Sequence, residues 1–176
     1  MNDELIIRQA VPDDYEAVVD FYYDIIDHQD EREFGTKWTK DVYPSRGDIR
    51  TDIDKGFMHI GLCGGRIACA MAVAGNDEIY NDVEWPTEAE EDQVSVIHLL
   101  AVHNDFSCRG FAKKLVNYAK DLSRALGRKV IRLDVLKGNL PAEKLYLKCG
   151  FRFVAEKKIF YEDTGLADFR MFELTL

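Results

Sequence analysis

The amino-acid sequence predicts one mixed α/β domain that spans residues 1–176. Its length favours a single domain of ordinary size, and 47% hydrophobic residues are enough for a proper core. Apolar residues recur at helical spacing in some segments, whereas other segments are short runs rich in β-forming residues. These segments follow the order β-α-(α)-β-β-β-α-β-α-β-β. We therefore expect a layered fold in which helices pack against a sheet.

The first third of the chain combines a strand with two helical segments. Pro12, Asp13 and Asp14 favour a helix start, because proline is tolerated in a first turn and acids suit the positive end of the helix dipole. The predicted elements are a strand over Glu4–Ala10, a helix from Pro12 to near His28, a loop or broken helix over Gln29–Ser45, and a short helix over Ile49–Lys55.

Two β-rich runs flank Gly64-Gly65 and predict a hairpin. The segment after the hairpin, Gly75–Gln93, holds eight acidic residues and no Lys or Arg. We expect a solvated loop there, and attraction of a cationic substrate is the other interpretation. Val94–Val102 is rich in Val, Ile and Leu and predicts a buried strand.

The second half of the chain alternates helices and strands. Helical spacing from Phe111 to Leu126, with Gly127 as the C-terminal stop, predicts one helix. The run KVIRLDVL predicts a strand. Asn139 can cap the next helix and Gly150 can end it. Two last runs, FRFVAEKKIFYE and FRMFELTL, predict a closing pair of strands.

Charge and cysteine content restrict the function classes. The net charge of -9 and the pI of about 4.9 argue against nucleic acid or an anionic membrane as partner, since such binders are normally basic. The four cysteines form no CxxC pair, which favours reduced thiols. No signal-peptide pattern is visible, and no apolar run approaches the ~20 residues of a membrane helix. We expect a soluble, cytoplasmic protein.

A metal centre is not expected. His98, His103 and Cys108 are the candidate ligands, but zinc-ligand spacing is absent. His98 and His103 lie an odd number of residues apart, so a regular strand would point them to opposite faces. Cys149, beside Gly150, is interpreted as a small buried thiol rather than a nucleophile.

The stretch FSCRGFAKKLV, Phe106–Val116, joins the strand Val94–Val102 to the following helix. A glycine at such a junction lets the backbone approach a ligand. The first helical turn has unpaired amides at the positive end of the dipole, and Arg109, Lys113 and Lys114 add positive charge. The pattern predicts an anion site for a phosphate or pyrophosphate; an ordinary turn with surface lysines is the alternative.

Three strings together, LLAVHNDFSCRGFAKKLV, IRLDVLKGN and LPAEKLYLKCGF, resemble the GNAT superfamily of acetyl-CoA-dependent N-acyltransferases. The phosphate loop of that family reads Gln/Arg-x-x-Gly-x-Gly/Ala, and Ser107–Ala112 aligns with it. Gly110 and Ala112 match, whereas Ser107 departs from Gln/Arg. The resemblance covers about Val94–Phe153 and implies the GNAT fold, a central mixed, mostly antiparallel sheet flanked by helices.

The resemblance also implies acetyl-CoA as co-substrate, held by two elements. The strand backbone at Leu100, Ala101 and Val102 would pair with the pantetheine arm. The loop would cradle the pyrophosphate through Cys108, Arg109, Gly110, Phe111, Ala112 and Lys113. Asn139 matches a family asparagine near the cofactor. A plain helix N-cap is the other interpretation of Asn139, and both can hold.

Three residues match catalytic positions of the family. Tyr146 in KLYLKCGF matches the tyrosine that commonly protonates the departing thiolate; an ordinary half-buried aromatic is the alternative. His98 lies where many relatives carry a glutamate base, and histidine titrates near the working pH. Asp134 lies where some relatives carry a catalytic carboxylate. For both, a structural hydrogen bond is the alternative. We favour His98 over Asp134 as the base, with bulk water as a third candidate.

The resemblance therefore implies an enzyme that transfers an acetyl group from acetyl-CoA to a primary amine by direct attack in a ternary complex. A small-molecule or peptide amine is the expected acceptor, and dimers are common in the family. A non-catalytic acyl-CoA-binding or sensing module is the alternative; Ser107 supports it, and Tyr146, Asn139 and His98 argue against it. Trp38 and Tyr43 lie in a segment that often lines the acceptor pocket, or they are packing anchors.

Overall fold

The computed structural model describes residues 4–31 and 34–176. Arg32 and Glu33, which belong to the predicted loop Gln29–Ser45, lie outside the described residues. The strands are β1 (Ile6–Gln9), β2 (Met58–Cys63), β3 (Arg66–Ala74), β4 (Val94–Val102), β5 (Val130–Leu136), β6 (Arg152–Tyr161) and β7 (Gly165–Thr175), and the helices are α1 (Tyr15–Asp27), α2 (Arg46–Asp54), α3 (Phe111–Ala125) and α4 (Leu140–Lys148). Within the described residues, seven strands form a mixed, mostly antiparallel sheet accompanied by four helices. The predicted fold class and element order are confirmed.

The described chain divides into two compact units by its internal contacts. The first unit comprises the residues up to Ala72 together with Leu99–Leu115. The second comprises Val73–His98 and Val116–Leu176. The single domain over residues 1–176 stays a prediction. None of the described helices is long and apolar enough to cross a membrane.

The first unit contains three antiparallel strands with α1 and α2. β1 pairs with β2, and β2 pairs with β3 across the Gly64-Gly65 turn, where both glycines have positive φ, 58° and 78°. The predicted hairpin is therefore confirmed. Trp38 and Tyr43 pack against the apolar core of this unit, as expected of packing anchors; a role in the acceptor pocket stays a prediction.

Helix α2 begins before the predicted start at Ile49. Its first residue is Arg46, because Ser45 and Asp48 cap it reciprocally. The Ser45 hydroxyl accepts from the Asp48 backbone N–H at 3.1 Å, and the Asp48 carboxylate accepts from the Ser45 N–H at 2.9 Å. Such a capping box satisfies two backbone donors and so extends the helix toward its N-terminus.

The second unit contains a parallel pair of strands. β4 runs parallel to β5, with Val94 opposite Val130. A parallel pair needs a crossover connection, and α3 lies between these strands in the sequence. β7 pairs antiparallel with both β5 and β6, and Asp134 of β5 lies opposite Met171 of β7.

The acidic segment Gly75–Gln93 is not the simple solvated loop that its charge predicts. Tyr80, in the middle of the segment, has 0% relative exposure. Val83, Trp85 and Ala89 pack with it against the apolar core of the second unit. The expectation of a solvated loop is corrected for these four residues, because their side chains bury apolar surface while most of the acidic residues between them stay exposed.

Candidate functional site

The loop between β4 and α3 leaves a run of backbone amides without acceptors. After the short turn Asn104–Phe106, the chain passes through left-handed backbone at Cys108 (φ 62°) and at Gly110 (φ 75°). In the described part of the chain, no acceptor binds the N–H groups of Cys108–Lys113, and the first helical bond runs from Lys114 N to Gly110 O at 3.2 Å. Successive N–H groups in such alternating backbone form an anion-binding nest.

Helix α3 begins with cations rather than acids. Its first turn contains Lys113 and Lys114 and no acidic residue. Positive side chains at the positive end of a helix dipole are unfavourable until an anion neutralises them. Arg109 lies over the Phe106 ring, 5.4 Å from the guanidinium carbon to the ring centroid. The loop therefore combines unpaired donors with positive charge, which is the chemistry of a phosphate site.

Strand β4 bends directly before the residues predicted to hold the pantetheine arm. Leu99 has φ 55°, a left-handed conformation that is uncommon for a residue with a side chain. The Tyr22 hydroxyl donates to the Leu99 carbonyl oxygen at 2.8 Å and thereby holds the bend. Leu100, Ala101 and Val102 follow it in β4. Their pairing with pantetheine stays a prediction, and no feature of the sequence signals the bend.

His103 is engaged in a cluster of polar contacts within the first unit. Its Nε2 lies 2.8 Å from the Asp24 carboxylate, and its Nδ1 accepts from the Asp105 backbone N–H at 3.1 Å. Both ring nitrogens thus have partners. Across residues 4–31 and 34–176, no three His, Cys, Asp or Glu side chains form a group that could hold a metal ion.

In the second unit, α4 carries two of the predicted site residues. The Asn139 side chain accepts from the Ala142 backbone N–H at 3.3 Å, so the helix-cap interpretation is confirmed. Tyr146 is buried, and its ring contacts Phe151 edge-on at 5.4 Å between centroids. None of the described residues forms a hydrogen bond with the Tyr146 hydroxyl. Burial first, and then the negative charge of Asp134, raise the pKa of Tyr146.

His98 and Asp134 lie within one cluster of titratable groups. The His98 Nε2 is 3.6 Å from the Asp77 carboxylate, and the His98 side chain is 21% exposed. Asp134 accepts a short hydrogen bond from the Tyr80 hydroxyl and a longer one, 3.4 Å, from Tyr161. Burial raises the pKa of Asp134, whereas the charge of His98 and the Tyr80 hydrogen bond oppose the rise.

The structure brings the predicted site residues together in two groups, one in each unit. The first unit holds the strand and loop residues from Leu100 to Lys113, and the second holds Asn139, Tyr146, His98 and Asp134. Sequence reasoning missed Asp77, Tyr80 and Tyr161, which complete the second group. The placing of an aromatic residue inside the acidic segment is the one signal that could have pointed to Tyr80.

Comparison with known proteins assigns the family. The sequence pattern of the Acetyltransferase (GNAT) family matches residues 19–151, and the chain therefore belongs to this family. An uncharacterized N-acetyltransferase of Methanocaldococcus jannaschii is 33% identical over 70 residues, which are 40% of this chain. The match spans 31% of the length of that curated relative. The predicted family is confirmed, and the chain belongs to a family of acyltransferases.

Solved structures of the family share the fold over nearly the whole chain. A GNAT acetyltransferase from Listeria monocytogenes is 21% identical with a TM-score of 0.74, covering 98% of this chain and 95% of that one. One from Streptococcus pneumoniae is 18% identical with a TM-score of 0.71, covering 98% and 100%. The yncA protein of Salmonella typhimurium, solved with its cofactor acetyl-CoA, is 16% identical with a TM-score of 0.71, covering 98% and 94%. At sequence identities this low, the structural similarity shows the fold alone.

Proposed function

We propose that the chain is an N-acetyltransferase that transfers the acetyl group of acetyl-CoA to a primary amine by direct attack in a ternary complex. A small-molecule or peptide amine is the proposed acceptor. Family membership supports acyl transfer, and the acetyl-CoA in the yncA structure supports the co-substrate. The observation that carries the proposal is the run of backbone N–H groups from Cys108 to Lys113 for which no described residue is an acceptor.

These donors suit the pyrophosphate of acetyl-CoA. The six N–H groups precede the first helical hydrogen bond of α3, where the dipole favours negative charge. Arg109 and Lys113 add charge on a protein whose net charge is -9. Ser107 departs from the Gln/Arg of the family, but the donors proposed here are backbone groups that any side chain at that position retains. Bound acetyl-CoA supplies a thioester whose acetyl group an amine can attack.

Tyr146 would give the proton that the departing thiolate needs. The ordinary pKa of tyrosine, about 10, already keeps this phenol protonated at neutral pH, and burial and then the nearby charge of Asp134 raise the pKa further. A protonated hydroxyl near the sulfur can act as a general acid. The lack of a hydrogen-bond partner among the described residues leaves the Tyr146 hydroxyl available for that contact.

His98 would take the proton that the acceptor ammonium must lose before attack. A neutral imidazole accepts this proton near neutral pH. Two carboxylates lie in the surroundings of His98: the Asp77 carboxylate is 3.6 Å from Nε2, and Asp134 interacts with His98 through its charge. Asp134 itself and bulk water are the competing candidates for the same proton.

Turnover with simple amines tests the proposal. Acetyl-CoA is mixed separately with n-butylamine, L-lysine amide and spermidine, release of the CoA thiol is followed, and the acetylated amine is identified by its mass. At least one amine should release CoA faster than hydrolysis does. Tyr146→Phe should lower kcat by about 10² or more, as expected for loss of a general acid, with the Kd for acetyl-CoA unchanged.

Tyr15→Phe is the matched control for this loss of a phenol. The Tyr15 hydroxyl donates to the Arg46 backbone oxygen at 3.2 Å, away from the proposed proton-transfer residues, so this variant should keep its kcat. Equal kcat in Tyr146→Phe and in the unchanged protein would remove Tyr146 as the acid.

A non-catalytic acyl-CoA-binding or sensing module is the second candidate function. The observation that favours it is Ser107, where the family has Gln or Arg. This candidate requires that acetyl-CoA bind tightly and that none of the three amines be acetylated. Failure of acetyl-CoA to bind at millimolar concentration would contradict both candidate functions.

A further inference from the structure

Tyr80 links the acidic segment to the carboxylate of Asp134. It is the last residue of the short turn Glu78–Tyr80, which the side chain of Asp77 caps. The ring of Tyr80 packs against Trp85 at 5.8 Å between centroids, and its backbone oxygen accepts from the Trp85 Nε1–H at 3.0 Å. With 0% exposure and contacts on the ring and on the backbone, Tyr80 has a fixed position.

Two phenols converge on one oxygen of Asp134. Tyr80 donates a short hydrogen bond to Oδ1, and Tyr161 donates to the same atom at 3.4 Å. Within residues 4–31 and 34–176, the other oxygen, Oδ2, has no hydrogen-bond donor. Hydrogen bonds to a carboxylate favour its charged form, which burial disfavours. The carboxylate is thus held through one oxygen, and its charge depends on the donors at that oxygen.

Asp134 acts on both residues that the proposed reaction needs for proton transfer. Its negative charge raises the pKa of Tyr146, the proposed acid. Its interaction with His98, the proposed base, lowers the pKa of Asp134. Asp77 is the remaining charged group that affects Asp134, and it raises the pKa of Asp134.

We propose that Tyr80 is a positioning residue of the acyl-transfer site, whose hydroxyl holds Oδ1 of Asp134 so that the carboxylate keeps its place and its charge near His98 and Tyr146. This inference rests on the proposed function. In this scheme the Tyr80 hydroxyl acts through Asp134, while the Tyr80 ring, which Tyr80→Phe retains, lies 6.5 Å from the His98 ring between centroids. Tyr161, with the longer hydrogen bond, is a second and weaker support.

Titration of Asp134 in the free protein tests the hydrogen bond itself. Tyr80→Phe keeps the buried ring and removes only the hydroxyl. The pKa of Asp134 is measured from its side-chain carboxyl carbon by NMR. It should rise by about one pH unit in Tyr80→Phe, because the charged form loses a donor. Tyr161→Phe should raise it less, and Tyr15→Phe, whose hydroxyl binds a backbone oxygen elsewhere, should leave it unchanged.

Kinetics with whichever of the three amines supports turnover tests the positioning role. The kcat of Tyr80→Phe should fall about tenfold with the KM for acetyl-CoA unchanged, since only the proton-transfer residues are affected. An unchanged pKa of Asp134, or an unchanged kcat, overturns the proposal. No turnover of any amine by the unchanged protein means that the proposed function has failed, and the positioning role falls with it. The titration still reports in that case whether the hydroxyl holds the carboxylate.

Discussion

The two ends of α3 differ in whether their backbone groups are hydrogen-bonded. At the C-terminal end, Arg128 N donates to Ser123 O at 2.9 Å and Gly127 N donates to Arg124 O at 3.0 Å, the paired bonds of a Schellman motif. At the N-terminal end, the N–H groups of Cys108–Lys113 have no acceptor in the described chain. The unpaired N-terminal donors are what the proposed pyrophosphate site requires.

Two other helices show how this chain completes a helix N-terminus with its own side chains. The Ser45 hydroxyl accepts from the Asp48 N–H at 3.1 Å, and the Asn139 side chain accepts from the Ala142 N–H at 3.3 Å. Both helices also carry an acid in the first turn, Asp48 in α2 and Glu143 in α4. The first turn of α3 has no acid, and no described side chain caps it. An anion such as pyrophosphate would supply both missing interactions.

Exchange of the two glycines at the ends of α3 for glutamate gives the largest expected effect. Gly110→Glu should abolish stabilisation by acetyl-CoA, because a carboxylate at the unpaired donors repels the pyrophosphate. That stabilisation amounts to about 2.7 kcal/mol at a hundredfold excess of ligand over Kd. Gly127→Glu should retain it. Thermal unfolding with and without acetyl-CoA measures the difference.

The two variants are matched in backbone strain. Gly110 has φ 75° and Gly127 has φ 72°, and a Cβ at either position meets no atom within 4 Å. Both should therefore lose similar stability through backbone strain, whereas the helix dipole favours the new carboxylate at position 110 and disfavours it at position 127. A nucleotide that lacks the pantetheine arm serves as the ligand control. Full stabilisation of Gly110→Glu by acetyl-CoA would show that the N-terminal end of α3 is only a turn.

Features that depend on neighbouring residues were predictable from the sequence. Gly110 at a strand-to-helix junction and Asn139 before Pro141 each have a local reason for their backbone geometry, so the turn before α3 and the cap of α4 were predicted in place. Anion binding by that turn stays a prediction. The start of α2 was missed because Ser45 and Asp48 were not considered as a reciprocal pair. That pair is also local, and the capping-box pattern could have found it.

Features that depend on distant residues were not predictable from one sequence. Tyr80 lies 54 residues from Asp134 along the chain, and Tyr161 lies 27 residues from it. Counting charges in Gly75–Gln93 described its surface but not the aromatic side chains that it buries. The bend at Leu99 depends on the hydroxyl of Tyr22, 77 residues away. Each of these contacts arises from tertiary packing, which no local pattern encodes.

Loss of the side-chain cap at the start of α4 should have an effect of intermediate size. It tests the contrast between the capped start of α4 and the uncapped start of α3. Asn139→Ala should destabilise the protein by about 1 kcal/mol, because the Ala142 N–H loses its acceptor. Ser45→Ala removes the cap of α2 and should cost a similar amount. Acetyl-CoA should stabilise Asn139→Ala less than Ser45→Ala if Asn139 also contacts the cofactor. Urea unfolding with and without acetyl-CoA separates the two roles, and an Asn139→Ala variant of unchanged stability would contradict the cap.

Removal of one cation from each end of α3 gives the smallest effect, but its sign is decisive. Lys113→Ala should stabilise the free protein by about 0.3 to 1 kcal/mol, because a cation is unfavourable at the positive end of the dipole, and should weaken acetyl-CoA binding. Arg124→Ala, at the other end, should destabilise by a similar amount without affecting binding. Urea unfolding at low salt measures both, and the difference should shrink at high salt because these charges are exposed. If the two substitutions change the free energy of unfolding in the same direction, Lys113 is ordinary surface charge. Changes in opposite directions would show that the free protein tolerates an unfavourable cation, which becomes favourable only when an anion binds.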